Sequence, residues 1–347
     1  MIRKAVALIS GGLDSMLAAR LIQQQGIQVE GINFFTGFCV EGHTHAIRNR
    51  DRGRVKRNNA LWVAEQLGIK LHILDIVDEY KNVVINPKHG YGANLNPCLD
   101  CKIFMVHKAH QWIIENGFDF IITGEVIGQR PKSQRRRYMP VISEESGADD
   151  LLLRPLCARN LSETLPERER WVERERLKDF HGRSRKPQIE LAREFGFEDY
   201  AQPAGGCCFL TDQTYSVKLR DLWDNRGRRE YELDDIMLLK VGRHIRPSRK
   251  YKLIIAREEG ENHFLSGYRH QFQTISTVSH PGPLALVQGE SLDPAQLELA
   301  CAITARFSKG RDAESVELRF SDREQSSRCV RVKPLRADQI SQDWVIA

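Results

Sequence analysis

The sequence predicts an α/β protein: a doubly wound parallel sheet followed by a second, smaller α+β domain. Over residues 5–156, apolar strand-like runs alternate with helix-like runs, which is the pattern of a parallel sheet covered by helices on both faces. Beyond about residue 215 the pattern changes to short strand-like runs separated by polar turns. The 347 residues are enough for two domains, each with its own core.

Each element of the first half has its own signal. Apolar residues at helical spacing, closed by a glycine, predict helices at residues 14–26, 54–68 and 99–117. Short apolar runs predict five strands, "AVALIS" (5–10), "VEGINFF" (29–35), "KLHILDI" (70–76), "DFIITG" (119–124) and "DLLLRPL" (150–156). Ligands of such sheets bind at the carboxyl ends of the strands, so the segments after strands one, two and four are candidate site loops.

The second half is more polar. Residues 162–200 are rich in charge and predict helices, and "QPAGGCCFLTD" (202–212) interrupts them. Strand-like runs of the second domain are expected at residues 251–259, 261–268, 284–290, 315–321 and 329–335. We therefore expect a first domain at 1–160, a helical connector with the cysteine loop at 161–214, and an α+β domain, a candidate for RNA binding, at 215–347.

Composition limits the class of protein. Hydrophobic residues make up 41% and charged residues 28%, as in a globular chain. No run approaches the ~18 apolar residues that a membrane helix needs, and the short apolar N-terminus passes directly into a glycine turn, unlike a signal peptide. We therefore expect a cytoplasmic protein without a membrane partner, whose eight cysteines serve metal binding, catalysis or packing more than disulfides.

The charge distribution points to a polyanion. Net charge is only +6, but "RNRDRGRVKR" (48–57) and "RPKSQRRR" (130–137) are dense basic clusters. Clustered arginine and lysine neutralise phosphates and release counterions, so these clusters favour nucleic acid. The mixed segment "RERWVERERLK" (168–178) is interpreted as a solvated face.

The segment "ISGGLDS" (9–15) is the sharpest motif. A strand ends, Gly11 and Gly12 permit a tight turn, and a helix opens near Asp14, so backbone N–H groups and the helix dipole form an anion site. Ser10 and Ser15 add hydroxyl donors. The Lys-Ser/Thr ending of a Walker loop and the G-x-G-x-x-G pattern of dinucleotide sites are both missing.

This SGG-x-DS motif directly after the first strand resembles the PP-loop of ATP pyrophosphatases, which cleave ATP between the α and β phosphates and adenylate a substrate. "TGEVIGQRPKSQ" (123–134) and "LLRPL" (152–156) are similar to segments of tRNA 4-thiouridine synthases, and "NPCLDCK" (96–102) resembles their iron–sulfur type and also tRNA 2-thiouridylases. The similarity covers residues 1–212. Because the sequence begins at the first strand, we expect it to lack the usual N-terminal RNA-binding region of 4-thiouridine synthases.

The resemblance implies an ATP-dependent tRNA sulfurtransferase that adenylates a uracil carbonyl oxygen and replaces it with sulfur. Mg²⁺ is expected with ATP, because the charge on the departing pyrophosphate must be neutralised. Asp14 would assist metal or phosphate, or else only cap the helix. The nucleotide-binding residues would be Ser10, Gly11, Gly12, Asp14 and Ser15, with Gly124, Gln129, Lys132 and Ser133 contacting AMP or the target nucleotide.

Two cysteine loci are candidates for the sulfur chemistry. Cys98 and Cys101 lie at a predicted helix start, where the dipole favours thiolate and C-x-x-C lets both sulfurs reach one metal centre. The second locus, "GGCC", supplies Cys207 and Cys208. The resemblance implies that three of these four thiolates hold a [4Fe-4S] cluster whose open iron binds sulfide, with Cys207 slightly favoured over Cys208. A cysteine persulfide and a zinc or purely structural site stay open as alternatives.

The sequence also gives expectations for the other cysteines and for the partners of the protein. Cys39 is a candidate ligand or sulfur relay, whereas Cys157, Cys301 and Cys329 are expected to be packed residues. The expected partners are tRNA and a sulfur donor, either sulfide or a cysteine desulfurase, and a homodimer stays open. The competing functions are a PP-loop enzyme that adenylates a small molecule and a zinc-stabilised RNA-binding protein without catalysis.

Overall fold

The computed structural model describes residues 2–40, 57–201, 208–324 and 326–347. They form two compact units, one made of the described residues up to Cys208 and one that begins at Phe209. The described part of 161–208 groups with the first unit; the three-part division at 160 and 214 stays a prediction. No helix in these ranges is long and apolar enough to cross a membrane.

The first unit is built on a parallel five-stranded sheet in the order β3-β2-β1-β4-β5. Its strands are β1 (Lys4–Leu8), β2 (Gln28–Phe35), β3 (Leu71–Asp75), β4 (Phe120–Ile122) and β5 (Leu152–Leu153). The predicted doubly wound sheet is thus confirmed, with all five strands. The strand order reverses at β1, so the crevice between the loops that follow β1 and β4 is where a ligand is expected.

Seven α-helices accompany this sheet in the described ranges: α1 (Leu13–Gln23), α2 (Asn59–Leu67), α3 (Val77–Ile85), α4 (Cys98–Asn116), α5 (Tyr138–Glu145), α6 (Leu165–Arg168) and α7 (Lys186–Glu194). The Asn58 side chain accepts hydrogen bonds from the Ala60 and Leu61 N–H groups, so α2 begins at Asn59; residues 54–56 of the predicted helix lie outside the described residues. The charged segment 162–200 contains only α6, α7 and a short 3₁₀ turn.

The core of the first unit lies where α1 packs on the sheet. Ala5, Met16, Ile22 and Phe120 are fully buried there and belong to one apolar cluster. Burial of that cluster fixes the end of β1 and the beginning of α1 relative to β4. The loop between β1 and α1 is therefore held by its two flanking elements.

The second unit is an antiparallel seven-stranded sheet in the order β11-β10-β8-β9-β7-β6-β12. Its strands are β6 (Arg243–Ser248), β7 (Tyr251–Ile255), β8 (Gln273–Thr277), β9 (Leu284–Gly289), β10 (Val316–Ser321), β11 (Ser327–Val332) and β12 (Val345–Ile346). Four α-helices accompany them in the described residues: α8 (Gln213–Arg226), α9 (Leu233–Leu238), α10 (Glu259–Ser266) and α11 (Pro294–Arg306).

One predicted strand of this unit was wrong, because residues 261–268 belong mainly to helix α10. Glu261 and Leu265, four residues apart, are both buried and so share one helical face. The Glu261 carboxylate also accepts a hydrogen bond from the backbone N–H of Arg257 (2.7 Å) and pairs with its guanidinium. This local ion pair lies at the start of the helix. A short apolar run in the sequence does not by itself distinguish a helix from a strand.

Candidate active site

The predicted phosphate loop joins the end of β1 to the start of α1. Gly11 adopts a positive φ of 79°, which favours glycine, and Gly12 is the extended N-cap residue of α1. No side chain caps this helix, so the N–H groups of its first turn are not covered by a capping oxygen. The Ser15 hydroxyl donates to the Gly12 carbonyl (2.8 Å), and the Ser10 hydroxyl lies 3.4 Å from that of Ser15. The loop has the features of an anion site.

Asp14 faces the loop that follows β4. Its Oδ2 accepts a hydrogen bond from Gln129 Nε2 (2.6 Å) and an ion-paired one from Arg185 Nη2 (3.1 Å). Gln129 Oε1 in turn accepts from Gln188 Nε2 (2.8 Å). The structure therefore brings the predicted residues Asp14 and Gln129 together, while the N-cap position belongs to Gly12.

Sequence reasoning missed Arg185 and Gln188. Both lie at the start of α7, in a segment that was interpreted only as charged helix. The backbone N–H of Gly182 donates to the Ile127 carbonyl (2.7 Å), which fixes this segment beside the β4 loop. The one available signal was Pro187, because proline in a first helical turn marks a helix start.

Gly124 lies where the β4 loop meets α1. A Cβ atom at this position would lie 2.5 Å from the backbone of Asp14 and from the Ser15 nitrogen. The close approach that requires glycine is thus one between two protein segments. The role of Gly124 toward a nucleotide stays a prediction.

The cysteine pair opens helix α4. Cys98 is its first residue, after the N-cap Pro97, and the Cys98 thiol donates to the Ser133 hydroxyl (3.1 Å). Asp100, between the two cysteines, accepts from the His89 N–H (3.1 Å) and so holds the loop that precedes the helix. Lys132 Nζ donates to the Gly90 carbonyl of that same loop (3.3 Å). Lys132 and Ser133 therefore contact the cysteine-bearing loop, and their roles toward AMP stay predictions.

One short segment connects the two sites. Gln129 contacts Asp14 of the phosphate loop, and Ser133 contacts Cys98. Four residue steps span at most about 14 Å between Cα atoms, even when fully extended. The phosphate loop and the thiol pair are therefore contacted by one short segment of the chain.

The second cysteine locus is only partly described. Cys208 forms an isolated antiparallel bridge with Cys39, and the Cys39 Sγ lies 3.6 Å from the Thr36 hydroxyl. Cys207 lies outside the described residues. Within the described ranges, no group of three or more His, Cys, Asp or Glu side chains is arranged to hold a metal ion. The predicted three-thiolate cluster is thus not assembled by the residues that can be described.

A buried ion pair lies behind the β4 loop. The side chains of Glu125 and Arg154 are only 2% and 5% exposed, and Arg154 Nε donates to Glu125 Oε2 (3.1 Å). Burial opposes ionisation of Glu125, but the charges of Lys102 and Arg154 outweigh it and hold the pKa of this carboxyl below its ordinary value. Burial raises the pKa of the neighbouring Cys157 thiol to about 12, which agrees with a packing role.

The structure describes all of one predicted basic cluster, at 130–137, but little of the other, at 48–57. Arg135, Arg136 and Arg137 are exposed on the first unit. Of the cluster at 48–57 only Arg57 is described; it donates to Asp199 (2.9 Å) and lies 3.8 Å over the Trp62 ring. Arg57 therefore has a structural role, while the rest of that cluster lies outside the described residues.

Comparisons with known proteins agree with this geometry. Residues 3–164 match the model of the tRNA methyl transferase HUP domain family. The first unit is therefore similar to this HUP domain family. Residues 242–345, in the second unit, match a different model, that of the NFACT protein RNA binding domain. The unit that carries the phosphate loop is thus followed by a unit similar to an RNA-binding domain.

The similar full-length proteins are tRNA-specific 2-thiouridylases. The MnmA protein of Mesoplasma florum is 30% identical over 259 residues, 70% of this chain and 64% of that protein. MnmA 2 of Caldanaerobacter subterraneus subsp. tengcongensis is 24% identical over 226 residues, 63% of this chain and 58% of that protein. The chain therefore spans about three fifths of the length of these curated relatives. A solved 4-thiouridine synthetase–RNA complex with bound ATP is 22% identical, with a TM-score of 0.41 over 61% of this chain and 46% of that chain.

Proposed function

We propose that this protein is an ATP-dependent tRNA uridine sulfurtransferase, which adenylates a uracil carbonyl oxygen and replaces it with sulfur. The relatives named as tRNA 2-thiouridylases support the substrate class. The single observation that carries the proposal is the segment 129–133, which contacts the phosphate loop through Gln129 and the thiol pair through Ser133. A thiolase needs an activating site and a sulfur site within reach of one uridine, and this segment provides that proximity.

The phosphate loop would perform the activation. A uracil oxygen is a poor leaving group and must first be activated. It would attack the α phosphate of ATP, and pyrophosphate would depart. The uncapped first turn of α1 would bind the departing phosphates. Mg²⁺, when bound, would neutralise phosphate charge. The carboxylate of Asp14 fits such an ion, because its Oδ1 is buried and has no hydrogen-bond partner among the described residues.

The thiol pair would deliver the sulfur. A sulfur donor first loads one thiol of Cys98 and Cys101 as a persulfide. The terminal sulfur attacks the activated carbon, a carbon–sulfur bond forms, and AMP leaves with the oxygen. The second thiolate then attacks the cysteine sulfur, which forms a Cys98–Cys101 disulfide and releases the thiocarbonyl product. A dithiol reductant must restore both thiols before the next turnover.

The proposed reaction uses a persulfide and not an iron–sulfur cluster. Cys98 and Cys101 lie in the first turn of α4, and Cys208 pairs with Cys39 through a backbone bridge. The third ligand that was predicted, Cys207, lies outside the described residues. The [4Fe-4S] cluster therefore stays a prediction, and iron and acid-labile sulfide measured after anaerobic reconstitution test it.

RNA binding is proposed for one face of the second unit. The apolar cluster beside α10 packs on the face of the sheet formed by β7 and β9. The same face continues over β8, β10 and β11 as paired polar residues: Ser276, Arg319 and Cys329 in one row, and Thr274, Ser321 and Ser327 in another. Arg319 and Arg331 are exposed there and suit RNA phosphates.

The experiment uses the full-length protein with ATP, Mg²⁺, a cysteine desulfurase with cysteine as the persulfide donor, a dithiol reductant and unmodified tRNA, and nucleosides are analysed by mass spectrometry. Thiouridine and tRNA-dependent release of AMP are expected from the wild type. Asp14→Ala should abolish both products, whereas Cys98→Ala or Cys101→Ala should still release pyrophosphate and form adenylated tRNA, but no thiouridine. Release of AMP at the same rate without tRNA would instead support a small-molecule substrate.

A further inference from the structure

Three buried polar atoms beside the phosphate loop have no hydrogen-bond partner among the described residues. They are Asp14 Oδ1, Arg185 Nε and Gln188 Oε1. All three belong to side chains of one connected network, because Arg185 pairs with Asp14 and Gln188 reaches Asp14 through Gln129. Buried polar atoms are normally paired, so three such atoms in one network indicate a missing ligand.

The direction of the hydrogen bonds explains why these atoms stay unpaired. The Asp14 carboxylate only accepts, so Gln129 turns its amide nitrogen toward it and presents its oxygen to Gln188. Gln188 must then donate with its own nitrogen, and its oxygen is left over. Gln188 is 0% exposed, so no bulk water reaches this oxygen. Turning any one amide over would break the bond to its neighbour.

The donor or acceptor type of each unpaired atom indicates which groups a ligand must carry. Asp14 Oδ1 and Gln188 Oε1 are acceptors, and Arg185 Nε is a donor. A ligand that satisfies all of them carries a cation, an anion and a hydroxyl or amino donor together. A Mg²⁺-bound nucleoside triphosphate carries these three groups.

We infer that Arg185 and Gln188 complete the Mg²⁺–nucleotide site, an inference that rests on the proposed adenylating function. In the nucleotide-free protein, the Arg185 guanidinium holds the Asp14 carboxylate 3.1 Å away and so competes with a metal ion for it. With Mg²⁺ and ATP bound, the Asp14 carboxylate would hold the metal ion and the Arg185 guanidinium would turn to the phosphates. Movement of the guanidinium would also open access to the buried Gln188 Oε1, which would then accept from the nucleoside. Arg185 therefore opposes binding of the bare metal and favours binding of the metal–nucleotide complex.

Two binding measurements on the full-length protein test this. Mn²⁺ replaces Mg²⁺, its binding alone is followed by electron paramagnetic resonance, and binding of Mg²⁺–ATP is followed by calorimetry. Arg185→Ala should weaken Mg²⁺–ATP binding about tenfold or more, the usual effect of losing a charged hydrogen bond, and should strengthen binding of Mn²⁺ alone. Arg183→Ala, which changes an exposed arginine two residues away, is the matched control and should change neither. Gln188→Leu should weaken ATP binding by a smaller factor and leave Mn²⁺ binding unchanged.

Opposite signs for metal and nucleotide cannot come from general loss of structure. If Arg185→Ala binds Mg²⁺–ATP like the wild type, or loses metal and nucleotide binding in parallel, the inference is wrong. Arg185→Lys keeps the positive charge and secures the test should the alanine variant not fold; it too should bind Mg²⁺–ATP more weakly than the wild type, because it lacks the Nε donor. If Arg185→Ala shows these opposite effects on metal and nucleotide binding but the wild type makes no thiouridine, the sulfurtransferase proposal is refuted and this inference still stands.

Discussion

Replacement of Gly124 by alanine should destabilise the first unit without touching its core. The new Cβ would lie 2.5 Å from the backbone carbon and oxygen of Asp14 and from the nitrogen of Ser15. These are backbone atoms at the start of α1, so they cannot turn aside as a flexible side chain does, and the β4 loop must move by about an ångström. Such overpacking costs about 1–3 kcal/mol. For a domain of this size, that lowers the midpoint of thermal unfolding by about 2–12 °C.

Gly12→Ala is the matched control for this prediction. Gly12 has ordinary extended dihedrals, φ −90° and ψ 159°, and an added Cβ would meet nothing closer than the Ser10 hydroxyl at 3.6 Å. Its melting temperature should therefore stay at or slightly above that of the wild type, while its affinity for ATP falls, because the Cβ would stand where a phosphate approaches. Thermal unfolding followed by circular dichroism, with ATP titration beside it, measures both. An unchanged melting temperature for Gly124→Ala would refute the steric reasoning.

Three further predictions concern the rest of the molecule. Burial lowers the pKa of Lys218 from its ordinary value of 10.5 to about 7. Between these two pH values the unfolded chain binds more protons than the folded protein, so the free energy of unfolding should rise with pH. Urea unfolding at about pH 7 and about pH 9 should show a smaller rise for Lys218→Met than for the wild type. N-ethylmaleimide should modify the exposed Cys329 but not the buried Cys157 of the folded protein, as read by mass spectrometry, and rapid labelling of Cys157 would contradict its packing role. Arg319→Gln with Arg331→Gln should weaken RNA binding and reduce its logarithmic salt slope by about 1–2; an unchanged slope would remove this face from the interface.

The parallel sheet could be predicted from the sequence because its strands are buried on both sides and appear as continuous apolar runs. Helices α3 and α5 left no such signal. Helix α3 begins two residues after β3, so no turn separates the two patterns, and α5 carries Pro140 in its first turn directly after a basic cluster. Helix α10 looked like a strand because it is only eight residues long, and such a short apolar run does not distinguish a helix from a strand.

Some residues of the candidate site could likewise be predicted from the sequence, and others could not. Asp14 and Gln129 could be predicted because each lies in a motif that directly follows a strand of the sheet. Arg185 could not, since it lies 171 residues from Asp14 along the chain and nothing in its local sequence refers to the phosphate loop. Lys132 and Ser133 were assigned to the nucleotide by motif position, yet their described contacts are with the loop and helix that carry the cysteines.

The buried pair of Glu125 and Arg154 explains how one loop can serve both sites. Loops at a sheet edge are usually mobile, but here Glu125 anchors the β4 loop to Arg154, which follows β5, and to Lys102, which follows Cys101 on α4. Removing one partner of a buried pair costs about 3–5 kcal/mol, because the other charge is left unpaired. The loop that carries Gln129 and Ser133 is therefore held rigidly between α1 and α4. Under the proposed function, the phosphate loop and the thiol pair would keep their spacing through a reaction cycle, so the RNA, and not this loop, would adjust to bring the uracil carbon from one to the other.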